Sequence, residues 1–196
     1  MSYSPNSSVV GFLGGASTIP TDQELEDLIN PTLAGITGLD KNKQIRPRFS
    51  VDPPTVPDRS VNWVAFGINR VVSPSQASVF QKDANSAVVI RYQEIELLLS
   101  WYGPKASHYA ELFRDGILIG QNRDLLAASD LGVVDVGEAR KVPELFKEKY
   151  LTRYDMLWTL RRRTERTYSV KDLASANITL NTDPVGETPT VINVNP

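Results

Sequence analysis

Glu94 and Glu96 stand two residues apart in an apolar stretch, a spacing that on a strand puts both carboxylates on one face. Paired carboxylates of that kind serve glycoside hydrolysis or hold a divalent cation. No second acidic motif flanks them, and a solvated or interface-facing strand is the commoner setting. His108 is the sole histidine, with Ser107 before it and Glu111 after. Near a helix N-terminus its ordinary role is that of a surface or capping side chain, and only together with Glu94 and Glu96 does it offer acid–base chemistry to a small hydrolase. The absence of cysteine excludes disulfides, thiolate nucleophiles and cysteine-held zinc or iron–sulfur centres. Gly11-Phe12-Leu13-Gly14-Gly15 has the glycine content of a phosphate-cradling loop, but no strand pattern precedes it and no Lys-Ser or Lys-Thr pair follows. No catalytic, metal-binding or cofactor-binding residue is assigned, and no enzymatic activity is expected.

The stronger signal is basic. Arg153, Arg161, Arg162, Arg163 and Arg166 fall in one stretch, balanced only by Asp155 and Glu165. On a strand, Arg161 and Arg163 face one way and Arg162 and Arg166 the other, which makes a two-sided ribbon rather than a single nucleic-acid stripe. Arginine forks pair with carboxylates and are enriched at protein interfaces, so a protein–protein rim is the functional reading; a solvated ribbon and weak DNA contact are the alternatives. A core cannot hold these side chains, and the end of the strand is expected to project beyond the body of the fold.

The elements that must carry these residues follow from periodicity. Residues 1–20 show no period and read as an N-terminal arm. Thr21-Asp22-Gln23-Glu24 has the spacing of a capping box; Leu25, Leu28, Ile29, Leu33 and Ile36 then trace one helical face, Pro31 should kink or restart the helix, and Gly38 should stop it. Pro47, Pro53, Pro54 and Pro57 make Asp40 to Ser60 an extended loop. Val61 to Val72 alternates as a strand. Val88 to Trp101 does so with a phase slip near Gln93 and Glu94, which a β-bulge or a change of buried face would produce. Gly103-Pro104 ends it and opens a helix through Tyr109, Leu112, Phe113, Gly116, Ile117 and Gly120, followed by a short helix from about Arg123 to Ala128. Leu131 to Val142 alternates weakly, residues 150–168 form the clearest strand, and a short strand is possible around Ile178 to Leu180. Trp63, Trp101 and Trp158 read as core. The fold class is α+β: a mostly antiparallel β-sheet with helices packed on one face, an extended N-terminal arm, a Pro-rich loop and a projecting β-ribbon. Residues 21–180 would be one domain and 181–196 a flexible C-terminal tail.

Composition agrees. A chain of 196 residues suits one domain with arms, and 41% hydrophobic residues suffice for a core. The net charge of −2 excludes a strongly basic nucleic-acid coat. No basic leader and no apolar run of the ~18 residues that a membrane span needs are visible, so a soluble, unsecreted protein without a membrane partner is expected.

At Ile45-Arg46-Pro47-Arg48-Phe49, then Pro53-Pro54, then Asn62-Trp63-Val64-Ala65-Phe66-Gly67-Ile68, the sequence resembles the bacteriophage neck or tail terminator family. The Gly-Gly arm, Ile36-Thr37-Gly38-Leu39 and Arg153-Tyr154-Asp155-Met156 fit the same order of elements, although the arm lacks the aromatic residue expected directly after its glycines. The resemblance implies a virion structural protein of the tail or neck, assembled in the host cytoplasm without cofactors. It implies a homo-oligomeric ring, a hexamer in this family, that caps the tail tube, ends its polymerisation and meets the head-completion or connector protein. It further implies a possible contact with the tail sheath and a bore through which genome DNA passes without sequence-specific binding. Another neck connector is the alternative within that class. Arg46, Arg48, Phe49, Arg161, Arg162, Arg163 and Arg166 are the expected interface residues.

Overall fold

The computed structural model describes residues 13–17, 21–48, 55–83, 85–146, 148–170, 176–179 and 191–194. In chain order the elements are β1 (Gly15–Ser17), α1 (Asp22–Thr37), β2 (Ile45–Pro47), β3 (Trp63–Val72), β4 (Ser78–Asp83), β5 (Ser86–Tyr102), α2 (Ala106–Gly116), α3 (Gly120–Ala127), β6 (Leu131–Val136), β7 (Arg140–Lys141), β8 (Glu144–Phe146), β9 (Lys149–Leu151), β10 (Arg153–Ser169), β11 (Ala176–Thr179) and β12 (Val191–Val194). They fall into two compact units. The larger holds residues 18–78 and 90–165; the smaller holds residues 1–17, 79–89 and 166–196.

In the larger unit, α1 begins where the capping box places it. Thr21 Oγ1 accepts from Glu24 N at 3.3 Å, and Glu24 Oε2 accepts from Thr21 N at 2.7 Å. Leu25, Ile29 and Leu33 then bury one helical face. Pro31 does not restart the helix, which runs through it unbroken. It is exposed, and the carbonyl it deprives of a partner belongs to exposed Asp27, where water can take the missing donor's place. Gly38 closes the helix at φ 72°, its N–H donating to Ala34 O at 2.8 Å.

The expected loop from Asp40 to Ser60 contains a strand. β2 pairs in parallel with β3, Ile45 opposite Val64 and Pro47 opposite Phe66. It is an edge strand, which is why Pro47 can end it. β3 runs antiparallel to β5 in the register Val64↔Trp101, Phe66↔Leu99 and Ile68↔Leu97; an extra residue, Asn69, then bulges before Arg70↔Glu96. In this pairing β5 itself runs on without an inserted residue from Leu97 to Glu94, and the extra residue is on β3. On the far side of β5 lies β10, whose outer edge takes β6 and β7.

The helices cover one face of this sheet. Ala106, Ala110, Phe113 and Ile117 of the α2 region and Leu126 of α3 join Leu25, Ile29 and Leu33 over Val64, Phe66, Ile95, Leu97, Leu99, Trp101, Met156, Trp158 and Leu160. The Phe113 ring lies 5.8 Å from that of Trp101 and 5.1 Å from that of Trp158, the latter edge-on. All three side chains are fully buried, and burying one such side chain contributes about 1.5–3 kcal/mol. The α+β class, mostly antiparallel with helices on one face, is the observed one. Of the three tryptophans, Trp101 and Trp158 are core, whereas Trp63 is half-buried on the opposite face.

In the smaller unit the expected irregular arm contains β1, paired antiparallel with the end of β10, Gly15↔Tyr168 and Ser17↔Arg166. The Tyr168 ring lies where a Gly15 side chain would stand, 2.7 Å from an ideal Cβ. β4 pairs with β5. Its connection is held by Asp83, whose carboxylate accepts from Asn85 N at 2.9 Å and Ser86 Oγ at 2.6 Å. β11 realises the short strand expected near Ile178. Its antiparallel partner β12 falls inside the segment expected as a tail.

Candidate functional site

Because Ile95, Leu97, Leu99 and Trp101 face the helices, strand alternation turns Glu94, Glu96, Leu98, Ser100 and Tyr102 to the other face. Trp63 and Ala65 of β3 share it, as do Arg153, Asp155, Leu157, Arg161 and Arg163 of β10. The buried Ile45 sends Arg46 and Arg48 the same way. Of the residues named, five are arginines and three, Glu94, Glu96 and Asp155, are carboxylates.

Its centre is a hydrogen-bonded cluster. Asp155 accepts from Ser100 Oγ and holds Arg153 bidentately, Nε at 2.7 Å and Nη2 at 2.8 Å. The third guanidinium nitrogen, Nη1, reaches Glu144 Oε2 at 2.8 Å, and Tyr102 OH donates to that oxygen at 3.2 Å. Hydrogen bonds donated to Asp155 push the Arg153 pKa above its ordinary value against the opposing effect of burial. Burial raises the Tyr102 phenol, with the charges of Arg153 and Arg48 acting the other way. The Tyr102 ring stacks on Trp63 with centroids 4.1 Å apart and planes 6° from parallel. Arg153 lies 5.8 Å over its centroid, within cation–π reach. Glu144 opens β8, so the cluster anchors the β8–β9 hairpin, which carries Leu145 and Tyr150 exposed and opposite one another.

The expected interface arginines behave differently from one another. Arg161 Nη2 pairs with Glu94 Oε1 at 2.8 Å and Arg163 Nη2 with Glu165 Oε2 at 2.7 Å, both in solvent-accessible positions. Arg162 is only 8% exposed and donates from Nε to Gln93 Oε1 at 2.8 Å; Thr164 beside it is also buried and donates to Arg91 O. The expectation that no core could hold this run is therefore corrected for its even-numbered side, since an amide oxygen from β5 supplies what the guanidinium needs. Arg166 is half-buried opposite Ser17 in the smaller unit. Arg46 donates to Lys43 O at 3.1 Å and Thr55 O at 2.6 Å, bridging the two ends of the Pro-rich segment. Arg48 N donates to Phe66 O at 2.6 Å, whereas its side-chain Nε and Nη2 are sealed from solvent without a hydrogen-bond partner. Phe49 and the loop glycine Gly11 lie outside the described residues.

The acid–base set is not assembled. Glu94 is paired with Arg161, Glu96 accepts from Asn69 Nδ2, and both stand on the face turned away from the helices. His108 is on α2, edge-on to Tyr109 at 5.5 Å, on the helical side of the sheet. A cavity of about 320 Å³ is lined by Leu98, Val142, Met156 and Leu157, with Glu138, Arg140 and Asp155 at hand. Asp155 is already committed to Arg153 and Ser100. Among the described residues no three His, Cys, Asp or Glu side chains are placed to share a metal ion, and no helix is long and apolar enough to cross a membrane. The Ser100–Asp155–Arg153–Glu144–Tyr102 cluster was not singled out from sequence. Its one legible sign is the spacing of Arg153 and Asp155, which puts opposite charges side by side on a strand face.

Helices packed on one face of a mostly antiparallel sheet define an α+β domain. The sequence matches the family described as phage neck terminator protein across residues 23–184, more than four-fifths of the chain, and the protein belongs to that structural family of the phage neck. A search of curated proteins finds no match.

Proposed function

We propose that this protein is the subunit of a homo-oligomeric ring, a hexamer, that caps the phage tail tube, ends its polymerisation and offers its far side to the head-completion protein. Family membership over residues 23–184 is the observation that carries this reading. The polar sheet face supports it, because Arg161 and Arg163 present charged, exchangeable contacts there while the core stays independent of them. Arg46 and Arg48 belong to the same face, and Phe49 and Arg166 are further interface residues in this reading. Arg162 contributes by stiffening β10 against β5 rather than by touching a partner. Unlike subunit faces that meet head to tail close into a ring when the rotation per step divides a full turn.

Phage lacking this protein test the reading. The expected particles are full heads without tails, beside free tails of uncontrolled length. Tails of normal length joined to normal heads would contradict it. Tails of normal length that fail to join heads would instead indicate a different neck connector.

A further inference from the structure

We propose, resting on the ring reading above, that the β8–β9 hairpin of one subunit seats Leu145 and Tyr150 in the cavity beside Leu98, Val142 and Leu157 of a second copy of the chain. Tyr150 is 75% exposed, more than any other large apolar side chain among the described residues, and Leu145 is 64% exposed. The two stand opposite one another in the antiparallel register, so both lie on one face of the hairpin. A hairpin of two three-residue strands does not hold itself together in water. This one is held at its root, where Glu144 Oε2 accepts from Arg153 Nη1 at 2.8 Å and from Tyr102 OH at 3.2 Å. An aromatic side chain held out on an anchored support is the usual centre of a protein interface.

The cavity is of the matching kind. Its volume of about 320 Å³ is roughly twice the ~150 Å³ that takes a benzene ring, which leaves room for a phenol ring with a leucine side chain beside it. It is open to a partner, because Val142 and Leu157 in its lining are both exposed. The hairpin of the same chain does not enter it: neither Leu145 nor Tyr150 lines it. Glu138 and Arg140 stand at the cavity, and Glu148 and Lys149 at the hairpin turn. None of these four has an ion-pair partner among the described residues. Opposite charges can therefore meet around the apolar contact, the polar rim that interfaces ordinarily carry.

A projection and a pocket that fits it, both on one chain, make a head-to-tail contact that closes into a ring when the rotation allows. Apolar character, volume and rim charge are all matched within this one sequence, so a second copy is the occupant.

The test uses two variants of the full chain, one without the projection (L145A/Y150A) and one with the cavity blocked (L157R). Light scattering across protein concentration measures their assembly, and the melting temperature of the dissociated subunit is the control. Each variant alone should move the assembly midpoint to about tenfold higher concentration or more, with the melting temperature of the single subunit unchanged, since all three side chains are exposed. Mixed at a concentration where each alone stays single, the two should form one-to-one pairs and go no further, because only the projection of L157R and the cavity of L145A/Y150A remain to meet. Normal assembly of either variant, or a mixture without pairs, would overturn the proposal. A lower melting temperature of the single L145A/Y150A subunit would show that the hairpin packs on its own chain, and L145A/Y150A rings that form normally yet no longer seat on tail tubes would assign the pocket to the tube protein; both would overturn it. An unmodified chain that forms no rings, with or without tubes, would remove the ring reading itself and this contact with it.

Discussion

Arg153 grips Asp155 through both Nε and Nη2, at 2.7 and 2.8 Å, although only one residue separates them on the same strand. Asp155 is thereby fixed to receive Ser100 from the neighbouring strand, and Arg153 to reach Glu144 at the root of the β8–β9 hairpin. Both side chains are about one-fifth exposed, so solvent screens the pair only in part. Replacing Asp155 by Ala leaves a guanidinium and a hydroxyl in want of an acceptor. D155A should cost about 2 kcal/mol, read as a melting temperature lower by roughly 4–8 °C. An unchanged melting temperature would show that the cluster is incidental to the fold.

The arginine ribbon should separate into two behaviours. R161A/R163A removes exposed pairs and should change stability by under about 1 kcal/mol, while weakening subunit association. R162A removes a buried guanidinium and takes the donor from Gln93 Oε1, so it should cost about 2 kcal/mol in the single subunit. Urea unfolding of the two variants side by side checks the contrast, and equal losses would refute it.

Gly103 is irreplaceable for a local reason. Its φ is 104°, and a Cβ there would stand 2.5 Å from the Val61 carbonyl oxygen. G103A should cost about 2 kcal/mol or more by strain and displacement of the chain before β3. Thermal melting of that single variant measures it, and a loss within error of zero would show that the loop relaxes freely.

Stability should fall on the acid side. Glu24, Asp40, Asp58 and Asp83 all have pKa values depressed by hydrogen bonds, from Thr21, Asn42 and Lys43, Ser60, and Ser86 and Asn85 respectively. Each depressed carboxylate contributes stability above its unfolded value, 4.5 for Glu and 3.8 for Asp, and loses it as pH falls through the lower folded value. Glu26 acts in the opposite sense, because its raised pKa makes the folded state bind its proton first as pH falls. Four against one predicts a net decline in melting temperature below about pH 4.5. A flat profile from pH 6 to 3 would contradict it.

Much of the fold was legible because its signals are local. The Thr21–Glu24 spacing, the period of Leu25, Ile29 and Leu33, and the alternation of Met156, Trp158 and Leu160 each declare an element without reference to anything distant. β2 escaped because prolines normally argue against a strand, and only its place at the edge of β3 makes it one. β4 escaped because its Val79 and Phe80 are exposed and give no buried alternation. At the site, the basic run was visible but its inner half was not, since the acceptor for Arg162 is Gln93, 69 residues earlier. The Arg153 cluster was hidden for the same reason. Its partners Ser100 and Tyr102 come from a strand whose composition reads simply as apolar.

The central claim is that this chain closes a ring on the end of a tail tube. The most direct test is light scattering coupled to gel filtration on the purified protein, followed by negative-stain imaging after addition of purified tail tubes. The account predicts closed rings of uniform stoichiometry seated at one end of each tube, which then cease to elongate when more tube protein is supplied. A single subunit that ignores tube ends and leaves their growth unchanged would contradict it.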